Sequence, residues 1–425
     1  MLRLVPLPIA IFLASLLLPP ELSVELGSLR LSGYRIVLLV MFLPCLYQLL
    51  TDPTTKISIA DYLMFFTTAW CLLSLLLNHN FSYMLETGGM LAIEMLGAYL
   101  LARIYICSLD AFVATAKMFV LLICALLIFA IPESITGQHY LRGPIEFVYP
   151  KRLGLHRVYG PFDHPILFGV FCALGLSYAY YIFAGGAVNS FKKFGVIMLI
   201  VIATFLSVSA GPLIALFAQI GLILWEKMTR TIPGRWWFTT GGLVLVYIVL
   251  DLLSNRSPIA LAISYASFSG QTAYFRLLIF DYGSAEVMNN FMLGIGFNEW
   301  NRPSWMPSSV DNFWLLTAMR YGLPCLIAMI AAIVYLVIKT AKRKSDSLPM
   351  KNAAKAWAVG LAGLMIVGCT VTFWNSLFVL FFYSLGSGCW FLESQKRPSN
   401  HPAGLTPDDH YTILPPPMTD RKTLF

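Results

Sequence analysis

Long apolar runs separated by short polar segments are the feature that most constrains how this 425-residue chain can fold. One run opens at His164-Pro165 and continues without an acidic or basic residue to Ala184. A stretch of about 18 or more apolar residues can cross a bilayer, where a helix satisfies its own backbone. Charged residues make up only 12% of the chain, against roughly 25% in soluble domains. The sequence therefore predicts an all-α, polytopic integral membrane protein.

About twelve such segments are predicted to be transmembrane helices. They lie near 4–20, 33–50, 59–77, 88–107, 111–131, 164–184, 194–208, 210–226, 236–253, 313–339, 355–371 and 373–392. We interpret the first segment as a retained span and not a signal peptide, because Pro19-Pro20-Glu21 follows it where a small-residue cleavage site would stand.

The segments between the apolar runs predict how the chain is organised and oriented. With the N-terminus inside, 18 of the 29 Lys and Arg residues fall on the cytoplasmic side and eight on the other, which predicts two cytoplasmic termini. One transmembrane domain is expected over 1–393, with two long outer loops at about 132–163 and 254–312. The segment 394–425 is rich in Pro, Ser and charge and predicts a disordered cytoplasmic tail.

The first long loop carries basic residues on the outer side, where they oppose the positive-inside bias. They are Arg142, Lys151, Arg152 and Arg157. A binding site for an anion would explain why four positive charges are kept in this loop. The alternative is that these side chains bind lipid headgroups at the membrane surface.

The second long loop contains a predicted amphipathic helix and a group of aromatic residues. Apolar residues recur every three to four positions over Gln271–Asn290, and Arg276 lies among them. This arginine either faces the anion site or is an interfacial residue that extends toward water. Trp300, Trp305 and Trp314 follow and are candidates for stacking on sugar rings, although tryptophan also populates the membrane interface.

Two segments resemble motifs of a known superfamily. In the first, Arg157-Val-Tyr-Gly-Pro-Phe-Asp-His-Pro-Ile-Leu-Phe-Gly169, an outer-loop arginine precedes a His-Pro that opens a span. The second runs from Arg276 through Asn290-Phe-Met-Leu-Gly-Ile-Gly296 and Asp311-Asn-Phe-Trp-Leu to Arg320-Tyr-Gly322. In this order they resemble the O-antigen ligase and polymerase superfamily. Asp311 stands where the ligases usually have a histidine, so the exopolysaccharide polymerase-type members are the nearer match.

The resemblance implies a glycosyltransferase of the bacterial inner membrane with its active face in the periplasm. The donor would be a glycan on undecaprenyl pyrophosphate. The reaction would polymerise, or ligate to an acceptor, the repeat units of a surface polysaccharide or exopolysaccharide. The implied partners are the lipid-linked oligosaccharide donor, a glycan acceptor, membrane lipids and other polysaccharide export components. No metal or cofactor is predicted, because the outer loops show no cluster of acidic residues that could hold a metal ion. No nucleic-acid partner is predicted either, because the net charge of +8 follows mostly from the bias of Lys and Arg toward one side of the membrane.

This reading assigns roles to individual residues. Arg157 and Arg276 would neutralise the pyrophosphate, because guanidinium groups bind phosphate oxygens in pairs. Three further basic residues would guide the pyrophosphate into the site, namely Arg142, Lys151 and Arg152. Asp311 is the first candidate to accept the proton of the acceptor hydroxyl, and His164 is the second. The alternative for both is a capping role at the start of a helix.

Two other classes of function fit parts of the sequence. A transporter or flippase is suggested by ionisable residues in or near the spans, namely Asp61, Glu94, Lys117 and Asp251. Transporters, however, are commonly built from inverted repeats, and no repeat is visible here. A non-catalytic scaffold for an export machine would tolerate loss of the outer-loop arginines.

Overall fold

The computed structural model describes residues 4–27, 29–143, 148–183, 190–253, 270–343 and 347–393. Its helices are α1 (Leu7–Ser15), α2 (Gly33–Thr51), α3 (Ile59–Asn78), α4 (Phe81–Tyr105), α5 (Leu109–Thr136), α6 (Pro165–Ile182), α7 (Ser190–Phe205), α8 (Ala210–Met228), α9 (Arg235–Leu253), α10 (Gly270–Asn289), α11 (Phe313–Lys342), α12 (Leu348–Val367), α13 (Asn375–Gly386) and α14 (Trp390–Glu393). The predicted tail at 394–425 and the start of the second long loop lie outside the described residues.

Helices dominate the described chain, as the all-α prediction requires, with one small exception. A 3₁₀ turn at Pro20–Leu22 leads into an antiparallel hairpin of β1 (Val24–Leu26) and β2 (Leu29–Leu31). In this hairpin Val24 pairs with Leu31. The strands are three residues each, which is too short for alternating polarity to reveal them in the sequence.

Eight of the described helices are long and apolar enough to cross a membrane. They are α2, α3, α4, α5, α6, α8, α11 and the continuous segment Asn375–Leu392, and each coincides with one of the predicted spans. The chain is therefore a multi-pass membrane protein by helix length and composition. The other four predicted segments coincide with α1, α7, α9 and α12, and their crossing of the membrane stays a prediction. Among these, α1 has only nine residues.

The local sequence sets where two helices next to the long loops begin. The His164 imidazole Nδ1 accepts the backbone N–H of Ile166 at 3.0 Å, and Pro165 follows as the first residue of α6. The Asn312 side chain accepts the N–H of Leu315 at 3.0 Å at the start of α11. Both caps satisfy backbone donors that a helix leaves without partners in its first turn. They place His164 and the residues before Asn312 at the loop side of the bundle.

The bundle is arranged around α6, which is buried on almost all sides. This helix packs against α5, α7, α8 and α12, as expected for a helix that is apolar around its whole circumference. On one side α3 runs along α11, and α13 runs along the C-terminal part of α4. Two π-helical turns interrupt α4, at Met84–Gly88 and Ile93–Gly97. Helix α10, which follows the second long loop's undescribed start, packs on α11.

A break within α11 joins two of the motif segments described above. Gly322 has φ 80° and ψ 171°, which interrupts the helix. The carbonyls before the break accept hydrogen bonds from the loop after α10: Ile295 N–H donates to Met319 O at 2.8 Å, and Gly296 N–H donates to Arg320 O at 2.9 Å. The loop thus satisfies backbone groups that the broken helix exposes. This pairing holds the loop after α10 on α11.

We expect Gly322→Ala to destabilise the protein. A Cβ at this position would meet the Met292 carbonyl, and the left-handed backbone is strained for any residue with a side chain. Strain of this kind costs about 1–3 kcal/mol, with the backbone clash added to it. Thermal unfolding of the purified protein checks this, with Gly221→Ala as the control. A Cβ at Gly221 meets open space, and equal stability of the two variants would contradict the proposed role of the break.

Candidate functional site

A cavity of about 1000 Å³ lies where the loop segments at one end of the bundle meet. Its walls come from the loop between α5 and α6, the α7–α8 junction, α10, the first half of α11 and the α12–α13 loop. Its volume is at the upper end of the range of roughly 300–1,000 Å³ found for small-molecule sites. Its ionisable side chains include Arg152, Arg157, His164, Arg276, Asp311 and Arg320.

The segment that carries Arg157 is fixed between the ends of two helices. The Glu133 carboxylate at the end of α5 accepts the N–H groups of Tyr159 at 2.8 Å and Gly160 at 3.2 Å. On the other side Val158 N–H donates to Leu206 O, just after α7, at 3.1 Å. Because its backbone is bonded on both sides, the loop presents Arg157 in a defined position. This role of Glu133 was not predicted from the sequence, although a lone carboxylate at the end of an apolar span indicates a specific partner.

Arg157 is a buried, fixed positive charge in the cavity wall. Its Nη2 donates to Ser209 Oγ at 2.8 Å and its Nε donates to Ser207 O at 3.4 Å. Its guanidinium carbon lies 4.7 Å from the centre of the Tyr149 ring. Burial and the neighbouring Arg152 lower the pKa of Arg157 to about 10, so the group stays protonated at neutral pH. The charge is therefore partly desolvated and well placed to attract an anion.

The α7–α8 junction that holds these arginines has an unusual backbone. Val208 has φ 42°, a conformation that a β-branched residue rarely adopts. Its carbonyl accepts Arg152 Nη1 at 3.3 Å, and its two neighbours, Ser207 and Ser209, hold Arg157. Such strain costs about 1–3 kcal/mol and concentrates at functional sites. The strained turn orients two arginines toward one cavity.

Arg276 and Asp311 line the same cavity and interact electrostatically with each other. Arg276, on α10, donates from Nη2 to Thr370 O at 3.1 Å. Burial raises the pKa of the Asp311 carboxyl, and Arg276 opposes this rise. Burial likewise lowers the pKa of the Arg276 guanidinium, with Asp311 acting in the other direction. The Asp311 side chain is accessible from the cavity although protein surrounds it. A carboxylate with a raised pKa is a stronger base than an ordinary one.

His164 is a hydrogen-bond donor by geometry. Its Nδ1 accepts from Ile166 N–H, so the proton of the neutral ring lies on Nε2. Burial, Arg157 and Arg152 lower the pKa of His164 to about 4, so the ring is neutral at neutral pH. A ring whose Nδ1 is occupied as an acceptor offers N–H to the cavity and no free lone pair. The role of His164 as the second candidate base stays a prediction, and its occupied Nδ1 favours a donor role for the ring.

Two of the predicted basic residues lie elsewhere. Arg142 pairs with Glu21 at 2.8 Å and donates to Phe162 O at 2.6 Å, so its guanidinium is directed at the segment after α1. Lys151 is exposed and does not line the cavity, although the adjacent Arg152 does. The structure thus brings Arg152, but neither Arg142 nor Lys151, to the site.

The three predicted tryptophans are also outside the cavity lining. Trp300 is buried in a small apolar cluster of the outer loop, and its Nε1 donates to Ser308 O at 3.0 Å. Trp314 donates to Met365 O at 3.0 Å between α11 and α12. Trp305 is 60% exposed, with Phe275 as an aromatic neighbour. Packing within the loop and between helices accounts for the first two.

Other residues supply the aromatic and cationic surface that the sequence reading missed. Tyr149 and Trp374 line the cavity, and their rings stand edge-on to His164 at centroid distances of 4.8 Å and 5.7 Å. Arg320 was quoted in the motif but given no role, and it lines the cavity as well. Trp374 lies in a short connection that looks like an ordinary tight loop in the sequence.

The arrangement combines four guanidinium groups, a neutral imidazole donor and a carboxylate of raised pKa in one cavity. Together they can hold a multiply charged anion and accept a proton beside it. Within the described ranges, no three His, Cys, Asp or Glu side chains come together as a metal site. No protein-family model matches the chain, and no curated protein matches it either.

Proposed function

We propose that this protein transfers a glycan from a lipid-linked pyrophosphate donor to a glycan acceptor. One observation carries the proposal: Arg157 and Arg276, which belong to different loops, line a single cavity together with Asp311. A pyrophosphate leaving group needs positive charge, and an attacking hydroxyl needs a base. The cavity offers both, with Arg157 buried in its wall and Asp311 accessible from it.

The chemistry can be written with these groups alone. The acceptor hydroxyl oxygen attacks the anomeric carbon of the donor sugar and forms the new glycosidic bond. Its proton passes to the Asp311 carboxylate, and the bond between the anomeric carbon and the pyrophosphate oxygen breaks. Negative charge then builds up on the pyrophosphate, where Arg157, Arg276 and the His164 Nε2–H stabilise it. Such preorganised groups act most strongly where protein has displaced water.

The setting of the reaction belongs to the same proposal. The resemblance in the two motif segments supports an undecaprenyl carrier, a bacterial inner membrane and a periplasmic active face. The bias of Lys and Arg toward the other end of the bundle supports the same orientation. Polymerisation of repeat units and ligation to an acceptor remain two versions of one transfer reaction, which differ in the acceptor.

Two of the four charges that suggest a transporter, Asp61 and Glu94, have structural partners. Asp61 is buried in an ion pair with Arg103 at 3.1 Å, and Glu94 pairs with Arg35 at 2.7 Å. Asp61 also caps α3. These pairs satisfy groups that would otherwise be costly inside a membrane. They do not favour a transport path over the loop-side cavity.

A reconstituted assay tests the proposal. The purified protein would be placed in proteoliposomes with a lipid-linked oligosaccharide from its own organism, and the products would be separated on a gel. A ladder of growing glycans would establish polymerisation, and one shifted band on an added acceptor would establish ligation. No product from a donor that a known transferase accepts would overturn the proposal, and flux of the donor across the bilayer would then indicate a flippase.

A further inference from the structure

A second chamber of about 180 Å³ lies directly beside the large cavity. The two share four lining residues, with Arg320 and Trp374 among them. On its far side the chamber is lined by Glu94 of α4 and by Asn375, the first residue of α13. None of the groups on this far side has a role in the transfer step described above. The chamber is therefore a candidate for a second ligand that meets the donor at the shared wall.

Glu94 is held in place but keeps an oxygen for a ligand. Its Oε1 accepts from Arg35 Nε at 2.7 Å and from the Tyr34 hydroxyl at 3.4 Å. Among the described residues no partner bonds to Oε2, which leaves that oxygen as an acceptor for a ligand hydroxyl. Glu94 also lies in the π-helical turn Ile93–Gly97. Single π turns inside α-helices occur frequently at functional sites.

Asn375, on α13, is likewise held by one polar atom of its side chain while another is left for a ligand. Its Nδ2 donates to Asp163 Oδ2 at 2.6 Å, which fixes the amide and turns its acceptor oxygen to other partners. Its backbone is left-handed, with φ 48°. Asparagine tolerates this conformation better than most residues, yet it remains a sparsely populated state. Two irregular backbone positions, on two helices, thus present polar groups to the same chamber.

The rest of the lining is aromatic. Trp374, Phe313 and Phe297 contribute rings, and the Arg320 guanidinium carbon lies 4.2 Å from the centre of the Phe297 ring. This stacking holds Arg320 at the boundary between the chamber and the large cavity. The chamber therefore offers ring faces together with a carboxylate, an amide and a guanidinium.

This chemistry selects one class of ligand. An anion would be repelled by Glu94, and a cation would face Arg320 and the nearby Arg35. A polyprenyl tail would offer no hydrogen bond to Glu94 Oε2, the Asn375 amide oxygen or the Arg320 guanidinium, and burying such polar atoms against hydrocarbon is costly. A neutral sugar ring satisfies all of them, because its hydroxyls donate and accept while its C–H face packs on an aromatic ring.

We propose that this chamber binds one neutral pyranose ring, the terminal sugar of the acceptor. The chamber volume exceeds the roughly 10–15 Å³ needed by one water by more than tenfold, which suits about a dozen heavy atoms, the size of one hexose. The acceptor role rests on the proposed transfer function, but the sugar site itself does not. From this position an acceptor hydroxyl reaches the large cavity past Arg320 and Trp374.

Binding can be measured without turnover. The protein in lipid nanodiscs would be tested by saturation-transfer NMR against four methyl pyranosides (glucoside, galactoside, rhamnoside and N-acetylglucosaminide). The variants are Glu94→Gln and Asn375→Gly, with Arg302→Gln as the control, because Arg302 pairs with exposed Glu299 outside both cavities. Glycine keeps the left-handed backbone at 375 while it removes the amide, so loss of binding there does not stem from backbone strain.

We expect at least one pyranoside to bind the native protein and the Arg302→Gln variant with equal affinity. The same pyranoside should bind each chamber variant about tenfold more weakly, because each variant loses one charged or well-placed hydrogen bond to the sugar. In the transfer assay both variants should raise KM for the acceptor and leave KM for the donor unchanged. Equal binding in the native protein and both variants, or competition between the pyranoside and farnesol, would overturn the proposal.

The two proposals fail in different ways. If inorganic pyrophosphate binds and glycan product forms, but no pyranoside binds, the chamber proposal is wrong and the transfer function stands. If a pyranoside binds in the chamber but no donor is turned over, the sugar site stands and the transfer function is wrong. Each measurement therefore reports on one proposal independently of the other.

Discussion

Arg276→Ala is expected to lower the rate of glycan transfer about 100- to 1,000-fold, the usual effect of removing one preorganised group that stabilises developing charge. Arg276 lines the cavity beside Asp311 and donates to Thr370 O, so its guanidinium is held where the leaving pyrophosphate would lie. Arg276→Lys should recover only part of the rate, because an ammonium group cannot bind two phosphate oxygens side by side. The measurement is the initial rate in the reconstituted assay.

The matched control for this prediction is Arg302→Ala. Arg302 also lies in the second long loop, but it pairs with exposed Glu299 and lines no part of the cavity. Arg302→Ala should transfer glycan at close to the native rate, which would show that loop charge alone is not the cause. A rate for Arg276→Ala within about threefold of the native value would remove Arg276 from the proposed chemistry, since that is less than 1 kcal/mol of barrier.

Asp311→Asn is expected to lower the rate about 100- to 10,000-fold, the range associated with loss of a general base. The pH profile supplies a second test. Burial raises the pKa of the Asp311 carboxyl above its ordinary value. The base works only when ionised, so the native rate should fall as the pH falls through this raised pKa. Asp311→Asn should lose that acidic limb, because asparagine does not titrate.

Asp281→Asn is the control for this substitution. Asp281 lies on α10, close in sequence to Arg276, but its side chain is exposed and outside the cavity lining. Its variant should keep both the rate and the pH profile. If Asp311→Asn keeps the acidic limb, another group accepts the proton. In that case Asp311 has no part in the proton transfer, and the adjacent Asn312 keeps its role as the cap of α11.

Part of the candidate site could be predicted from the sequence, because its residues belong to segments that have a recognisable pattern or order along the chain. The amphipathic pattern predicted a helix over Gln271–Asn290, and α10 spans Gly270–Asn289. Arg157 was chosen from the first long loop, and Arg276 and Asp311 from the second, and the structure brings all three to one cavity. Span ends on one side of a bundle must lie near each other, so this part of the geometry follows from topology.

The same reasoning failed for side chains whose surroundings are set by packing. Trp300 and Trp314 were candidates for stacking on sugar rings, but both indoles donate to backbone carbonyls and neither ring lines the cavity. Arg142 had the expected charge, but Glu21, far away in sequence, takes its guanidinium. Which partner a long side chain meets depends on which segments become neighbours, and a linear pattern does not contain that information.

What the sequence by itself determined is the class of protein, because apolar length and the scarcity of charge leave a bundle of membrane helices as the stable form. The order of its arginines along the loops also follows from the sequence. Tertiary structure alone decided the rest. The strained turn at Val208, the break at Gly322 and the loop that brings in Trp374 and Asn375 each depend on contacts between distant segments. Those contacts orient charges toward a shared cavity, and orientation is a property of the packed bundle.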